Sequence, residues 1–290
     1  MSVKIFTDFR KSDIDKNQYI FCENIEECDF VFLDFRIRTK QTKIYLVTEN
    51  NIPEVKKMRD LAIKHNKKFV YLCGGDRPPK ILPNDLNSII FKTSIDKKNK
   101  PNNEYAFGVC VNDKFLNEYL INPNLSIGFI GHTGHGRQKY IDYLTKSNIK
   151  TDFIIRDQYF GTIKCTPLKT MENEFFQNIS NNLFTFCYRG GGNFSVRFYE
   201  VIMMGRIPLV IDTDCMFPYE DEIDYSKVGL FIKESELNEN FNLEERMNNW
   251  YETNKDNLLD IQKNNRMIYE KYFYKQYWSM FFKYCKKIIE

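Results

Sequence analysis

The 290-residue chain has room for two domains of ordinary size, and its 42% apolar and 16% aromatic residues exclude a disordered protein. A net charge of +3 is too small to point to nucleic acid, and eight scattered cysteines without a CxxC pair exclude a disulfide scaffold or a cysteine-based metal site. They read as reduced thiols, which fits a cytosolic setting.

Lys4, Asp8 and Arg10 interrupt any apolar signal segment, and no run approaches the ~20 apolar residues of a membrane-spanning helix. Val3–Phe6, Asp29–Phe35 and Lys43–Val47 read as strands. Asn51-Ile52-Pro53 opens a helix with Val55, Met58, Leu61 and Ala62 on one face, and Lys68–Cys73 and Asn87–Phe91 are further strands. Strands alternating with helices predict a parallel, doubly wound sheet, in which ligands sit beyond the carboxyl ends of the strands. That rule makes Asp34, and Asp76 in the Gly74–Arg77 turn, candidates for substrate contact, although an aspartate after a strand is commonly a turn or cap residue.

Residues 92–125 are polar and turn-rich and read as a connection, with the domain boundary at Asn122-Pro123-Asn124. The expected division is a first domain over 1–122, a second over 123–265 and a C-terminal helix over 266–290. Ser126–Ile130 begins a fresh strand, followed by the turn Gly131–Arg137 (GHTGHGR) and a helix over Gln138–Ser147. The turn has the G-x-x-x-x-G spacing of a triphosphate-cradling loop. Arg137 and Gln138 stand where that motif needs Lys and Ser or Thr, and Gln is a poor magnesium ligand. His132 and His135 lack the further ligands of a zinc site, so the loop reads as polar and substrate-facing.

After a strand at Asp152–Arg156 and a helix at Met171–Asn181, the stretch Leu183–Asp212 is the most informative. An apolar run passes through Arg189 into Gly190-Gly191-Gly192, Asn193 stands as the expected N-cap, and Phe194, Phe198, Val201, Ile202 and Gly205 mark one helical face. Ile207–Ile211 is the next strand. The unit is a βαβ crossover with an anion-ready helix start, in which Arg197 suits a diphosphate and Glu200, one turn on, suits a ribose diol. The competing expectation is that Arg197 and Glu200 simply pair with each other. Asp212-Thr213-Asp214 spells DxD and reads as a turn in preference to a metal pair. The tail, with Ile268, Tyr272, Phe273, Tyr277, Phe281 and Tyr284, carries an aromatic stripe of core type. The alternative for its Lys and Tyr residues is a peripheral contact with an anionic membrane surface.

Arg189-Gly190, Ser195-x-Arg197-Phe198-x-Glu200 and Gly205-x-Ile207-Pro208-x-Val210, continued by Phe217-Pro218 and Ile223-Asp224-Tyr225, resemble the signature of exostosin-like glycosyltransferases. Tyr188 departs from that signature, which has proline there. The resemblance covers the last two-thirds of the chain well and the first third loosely. It implies an α/β fold of two Rossmann-like domains facing across a cleft (GT-B type), the C-terminal helix crossing back to the first domain. It implies an inverting transfer from a UDP-sugar, such as UDP-xylose, UDP-galactose or UDP-glucuronic acid, to a glycan hydroxyl, with no cofactor and no divalent metal.

On this reading Glu200 holds the ribose. Arg197, Arg189, Arg137 and the backbone of Gly190, Gly191, Gly192 and Asn193 hold the diphosphate, Ser195 also belongs to the donor site, and Asp76, Asp34 or His132 is the general base. Animal and plant members are usually Golgi-anchored, so a soluble bacterial or viral relative is the expectation here. A UDP-sugar epimerase, a non-catalytic sugar-nucleotide or glycan-binding module, and a divalent-cation enzyme using Asp212 and Asp214 are the alternatives.

Overall fold

A computed structural model of the chain describes residues 2–7, 19–34, 53–74, 87–157, 168–238 and 241–290. The expected strand Lys43–Val47, and Asp76 in its turn, lie outside the described residues. The first domain is a six-stranded, all-parallel sheet of β1 (Val3–Phe6), β2 (Tyr19–Phe21), β3 (Phe30–Asp34), β4 (Lys68–Cys73), β5 (Ser88–Lys92) and β6 (Glu104–Ala106), in spatial order β2-β1-β3-β4-β5-β6. Helix α1 (Pro53–Lys64) covers one face, seating Val55, Met58 and Ala62 on Val31, Leu33, Phe69 and Tyr71. The apolar residues on α1 recur at helical spacing and those on the strands run unbroken, as a sheet buried on both faces requires. Part of the expected connection over 92–125 is thus the edge strand β6, which at three residues is too short to show a period.

The second domain repeats the winding. Its strands β7 (Ser126–Gly131), β8 (Lys150–Ile155), β9 (Phe184–Cys187), β10 (Ile207–Asp212) and β11 (Leu230–Lys233) are parallel, in the order β11-β10-β9-β7-β8. Helices α2 (Gln138–Lys146), α3 (Leu168–Asn181) and α4 (Val196–Met203) make the crossovers. Pro208 is tolerated inside β10 because pairing with β11 starts one residue later, at Leu209↔Leu230, so its missing N–H falls before the ladder. Gly229 fits beside it because a Cβ there would lie 2.4 Å from the Pro208 carbonyl oxygen.

After α5 (Leu243–Asn254) and α6 (Leu258–Ile268), a π-helical turn (Tyr269–Tyr274) leads to α7 (Tyr277–Ile289), which crosses back onto the open face of the first sheet. The ring of Phe281 stands 5.7 Å from Phe32, 4.8 Å from Phe91 and 4.9 Å from Phe107, and Lys286 pairs with Asp29 at 3.0 Å. Tyr272, Phe273, Tyr277, Phe281 and Tyr284 are all buried, so the aromatic stripe of the tail is core. The same cluster continues through Phe273 to Tyr199 of α4, so one core joins both domains. This is the expected two-domain GT-B fold.

Two buried arginines fasten the connection between the sheets. Arg206, 1% exposed, donates to the carbonyls of Ser180 (2.9 Å), Glu118 (3.1 Å) and Met204 (3.2 Å) and to Oε1 of Gln262 (3.2 Å). Arg266 grips both carboxylate oxygens of Asp113, at 2.7 and 2.6 Å, and holds that carboxyl below its usual range.

Candidate functional site at the switch point of the second sheet

From β7 the chain steps outward to β8, then returns to the other side of β7 as β9. The carboxyl ends of β7 and β9 therefore diverge, and in an open parallel sheet that divergence makes a ligand crevice. A cavity of about 390 Å³ lies there. Ile130, Gly131 and His132 from the end of β7 line it, with Arg137 from the following turn, Tyr188 and Gly190 from the end of β9, and Phe194, Ser195, Val196, Arg197 and Glu200 around the start of α4.

Helix α4 starts two residues later than expected. Ser195 is the N-cap, in extended conformation and with no side-chain cap bond, while Asn193 is drawn elsewhere. The Asn193 N–H donates to Oγ of Ser94 (2.7 Å), its side-chain amide donates to the Thr213 carbonyl (3.1 Å), and its Oδ1 accepts from the Thr213 hydroxyl. The Gly190 N–H closes the turn on the Phe194 carbonyl at 3.0 Å. These two N–H groups of the expected cradle over Gly190–Asn193 are spent inside the fold, while the first turn of α4 has no side-chain cap, and N–H groups in a helix's first turn have no intrahelical partners. Phe194 precedes the helix, and Gly205 (φ +62) ends it in a Schellman motif, with Arg206 N–H on Val201 O and Gly205 N–H on Ile202 O.

Arg197 is held rigidly. Its Nη2 donates to the Ile130 carbonyl at 2.5 Å, and its guanidinium lies 4.3 Å from the Phe129 ring centroid and 5.6 Å from that of Phe175. Its Nε has no hydrogen-bond partner among the described residues, and burial brings its pKa down to about 10. Burial raises the Glu200 carboxyl, with Arg197 pulling in the opposite direction. No salt bridge joins the two side chains among the described residues. The simple Arg197–Glu200 pair is therefore absent, and both groups face the cavity.

Arg137 is braced across the cavity mouth by the carbonyls of His132 (3.1 Å) and Arg189 (2.9 Å). Arg189 contributes that carbonyl, but its side chain is exposed and does not line the cavity, and neither Gly191, Gly192 nor Asn193 lines it. Gly134 N–H donates to Nδ1 of His132 at 2.8 Å, which leaves the neutral ring with its proton on Nε2. In this arrangement His132 is a donor, and acting as a base would cost it that bond. His135 is exposed in a left-handed conformation (φ +62) outside the cavity. Asp34 ends β3 fully buried beside Leu72 in the first sheet, away from the lining.

Asp212 and Asp214 form a turn. Asp212 accepts from the Cys215 N–H (3.1 Å), and Asp214 (φ +59) binds Lys98 at 2.5 Å. Lys97 N–H also donates to the Asp214 carbonyl, tying the turn to the first domain. Among the described residues no group of three or more His, Cys, Asp or Glu side chains is placed to hold a metal ion.

The far wall was not foreseen. Arg156, just past β8, and Met171, Glu172, Phe175 and Phe176 of α3 complete the lining. Arg156 follows a strand next to the switch point, so the carboxyl-end rule that singled out Asp34 could have found it. Tyr188, where the resembling family has proline, gives its hydroxyl to Glu234 at 2.8 Å, and Tyr140 reaches the same oxygen at 2.6 Å.

Residues 129–247 match the Exostosin GT47 domain family. Curated relatives include a "probable glucuronosyltransferase" of Oryza sativa subsp. japonica, 26% identical over 28% of this chain and 20% of that protein. One of Physcomitrium patens is 29% identical over 28% and 19%, and a "probable beta-1,4-xylosyltransferase" of Arabidopsis thaliana is 28% identical over 22% and 16%. The matches thus span about a fifth of those relatives' length. Among solved structures, TarM superposes with a TM-score of 0.40 at 10% identity, over 77% of this chain and 50% of that one. The pneumococcal O-GlcNAc transferase GtfA, in complex with UDP and GlcNAc, gives 0.34 at 11% identity, over 90% and 45%. The matched segment holds the end of β7, all of β9, α4 and β10, and with them Arg137, Arg197 and Glu200. No helix among the described residues is long and apolar enough to cross a membrane.

Proposed function

We propose that the chain is an inverting glycosyltransferase that moves a sugar from a UDP-sugar to a hydroxyl of a glycan acceptor without a divalent metal. The observation that carries this reading is the pair Arg197 and Glu200, unbonded to each other and facing one cavity beside an uncapped helix start. Glu200 accepts hydrogen bonds from the ribose hydroxyls. Arg197, Arg137, Ser195 and the first-turn N–H groups of α4 neutralise the diphosphate as it departs. The acceptor oxygen attacks the anomeric carbon from the face opposite the diphosphate. The bond from that carbon to the diphosphate oxygen breaks, and the electron pair leaves with UDP. The reading places the base that takes the acceptor's proton in the first domain.

The names of the relatives support uronic acid and pentose donors, so UDP-glucuronic acid and UDP-xylose come first in an assay, followed by UDP-galactose. The test follows UDP release from each, with and without glycan acceptors and with and without EDTA. Acceptor-dependent release that survives EDTA, and that Arg197→Ala abolishes while far-UV circular dichroism is unchanged, is the expected result. Epimerised sugar without transfer, nucleotide binding without turnover, or loss of activity in EDTA would each overturn the reading in favour of one of the alternatives above.

A further inference from the structure

The diphosphate and ribose contacts occupy only one side of the cavity. The other side is walled by Met171, Phe175 and Phe176 of α3 and by Val196, and it carries two charged side chains, Arg156 and Glu172. Each of these is already matched by a partner of opposite charge. Arg156 Nη2 binds Glu174, and Glu172 Oε1 binds Lys114 of the interdomain connection at 3.0 Å. A guanidinium carries five N–H donors and a carboxylate about four acceptor positions, so both groups keep hydrogen-bonding capacity after these contacts.

The matched charges decide what the wall suits. A second phosphate, or the carboxylate of a uronic acid, would bring its negative charge against Glu174 and Glu172, with Arg156 already neutralised. An uncharged planar ring with donors and acceptors along its edge meets no such repulsion. The apolar side chains offer such a ring a stacking surface. Phe175 is partly committed, since Arg197 lies 5.6 Å from its centroid, but among the described residues Phe176 has only Phe175 as a ring neighbour, in edge-on contact at 5.2 Å. Val196, 41% exposed, stands at the start of α4 on the cavity wall. An apolar residue so exposed in a lining is expected where a ligand covers it.

We propose that this wall is a nucleobase subsite: the base stacks on Phe176 and Val196, and Arg156 and Glu172 read its edge as donor and acceptor. This rests on the nucleotide-sugar reading of the same cavity. It assigns specificity to side chains outside the arginine–glutamate signature, and it orients the donor with its base toward α3 and its diphosphate toward α4 and Arg137.

Titration calorimetry of the full chain with UDP and, separately, with inorganic pyrophosphate tests it. Wild type should bind UDP at least tenfold more tightly than pyrophosphate. Arg156→Gln and Phe176→Ala should each weaken UDP about tenfold or more, as loss of base stacking or edge contacts does, and leave pyrophosphate unchanged. Because Phe176 also packs toward the core, Arg156→Gln, at a half-buried ion pair, keeps the test sound if Phe176→Ala misfolds. UDP affinity unchanged in Arg156→Gln, or UDP and pyrophosphate weakened in parallel, overturns the subsite. Failure of wild type to bind UDP at all overturns the donor reading itself.

Discussion

A Cβ placed on Gly131 would lie 2.8 Å from Nη2 of Arg197. The glycine at the end of β7 is therefore what lets the guanidinium reach the Ile130 carbonyl and settle over Phe129. Gly131→Ala should push the arginine tip aside and leave the sheet in place. The expected outcome is a fall in turnover on the order of tenfold to a hundredfold, with a modestly lower melting temperature, since Gly131 has a φ of +158 that an L residue adopts only under strain. Steady-state kinetics and thermal unfolding of the one variant check both halves.

Glu200 ties stability and binding to pH in opposite directions. Its folded-state pKa is raised by burial. The stability contributed by the neutral carboxyl is fully present below the unfolded value, about 4.3, and is lost as pH rises through the raised folded value. Glu200→Gln removes that loss, so the variant should melt above wild type at pH 7 and level with it at pH 4. Its affinity for UDP should fall about tenfold, because a charged acceptor for the ribose is gone. Equal melting temperatures at pH 7 would refute the first half.

Arg206 is a purely structural counterpart to Arg197. Its bonds to Ser180, Glu118, Met204 and Gln262 draw α3, α4, α6 and the interdomain connection together. Arg206→Ala strands several buried acceptors at once and should cost about 3 kcal/mol or more in urea unfolding. Any residual folded protein should retain UDP affinity, since Arg206 does not line the cavity.

Phe281→Ala empties the contact between α7 and the first sheet, where three rings meet it. The expected loss is about 3–5 kcal/mol, read from the urea midpoint.

The βαβ unit around Arg197 was legible because its signals are local: an apolar run, three glycines, a helical period and a second run. What misled was any position claimed from a distance. Asn193 has the chemistry of an N-cap, but Ser94 and Thr213, far away in sequence, take its hydrogen bonds and the helix begins at Val196. Arg189 follows a buried strand directly and turns outward, which motif matching could not reveal. The strands Tyr19–Phe21 and Glu104–Ala106 are too short to carry a period, and Arg156, Glu172 and Phe176 meet only once β8 and α3 are folded beside β7.

The return of α7 to the first sheet sets an order of events in synthesis. Phe30, Phe32 and Phe91 leave the ribosome long before Phe281 and Phe282 can reach them. The amino-terminal half is thus the last to be finished, and its greasy side waits uncovered while the second domain is being made. A chaperone that shelters nascent aromatic surface would find its target there.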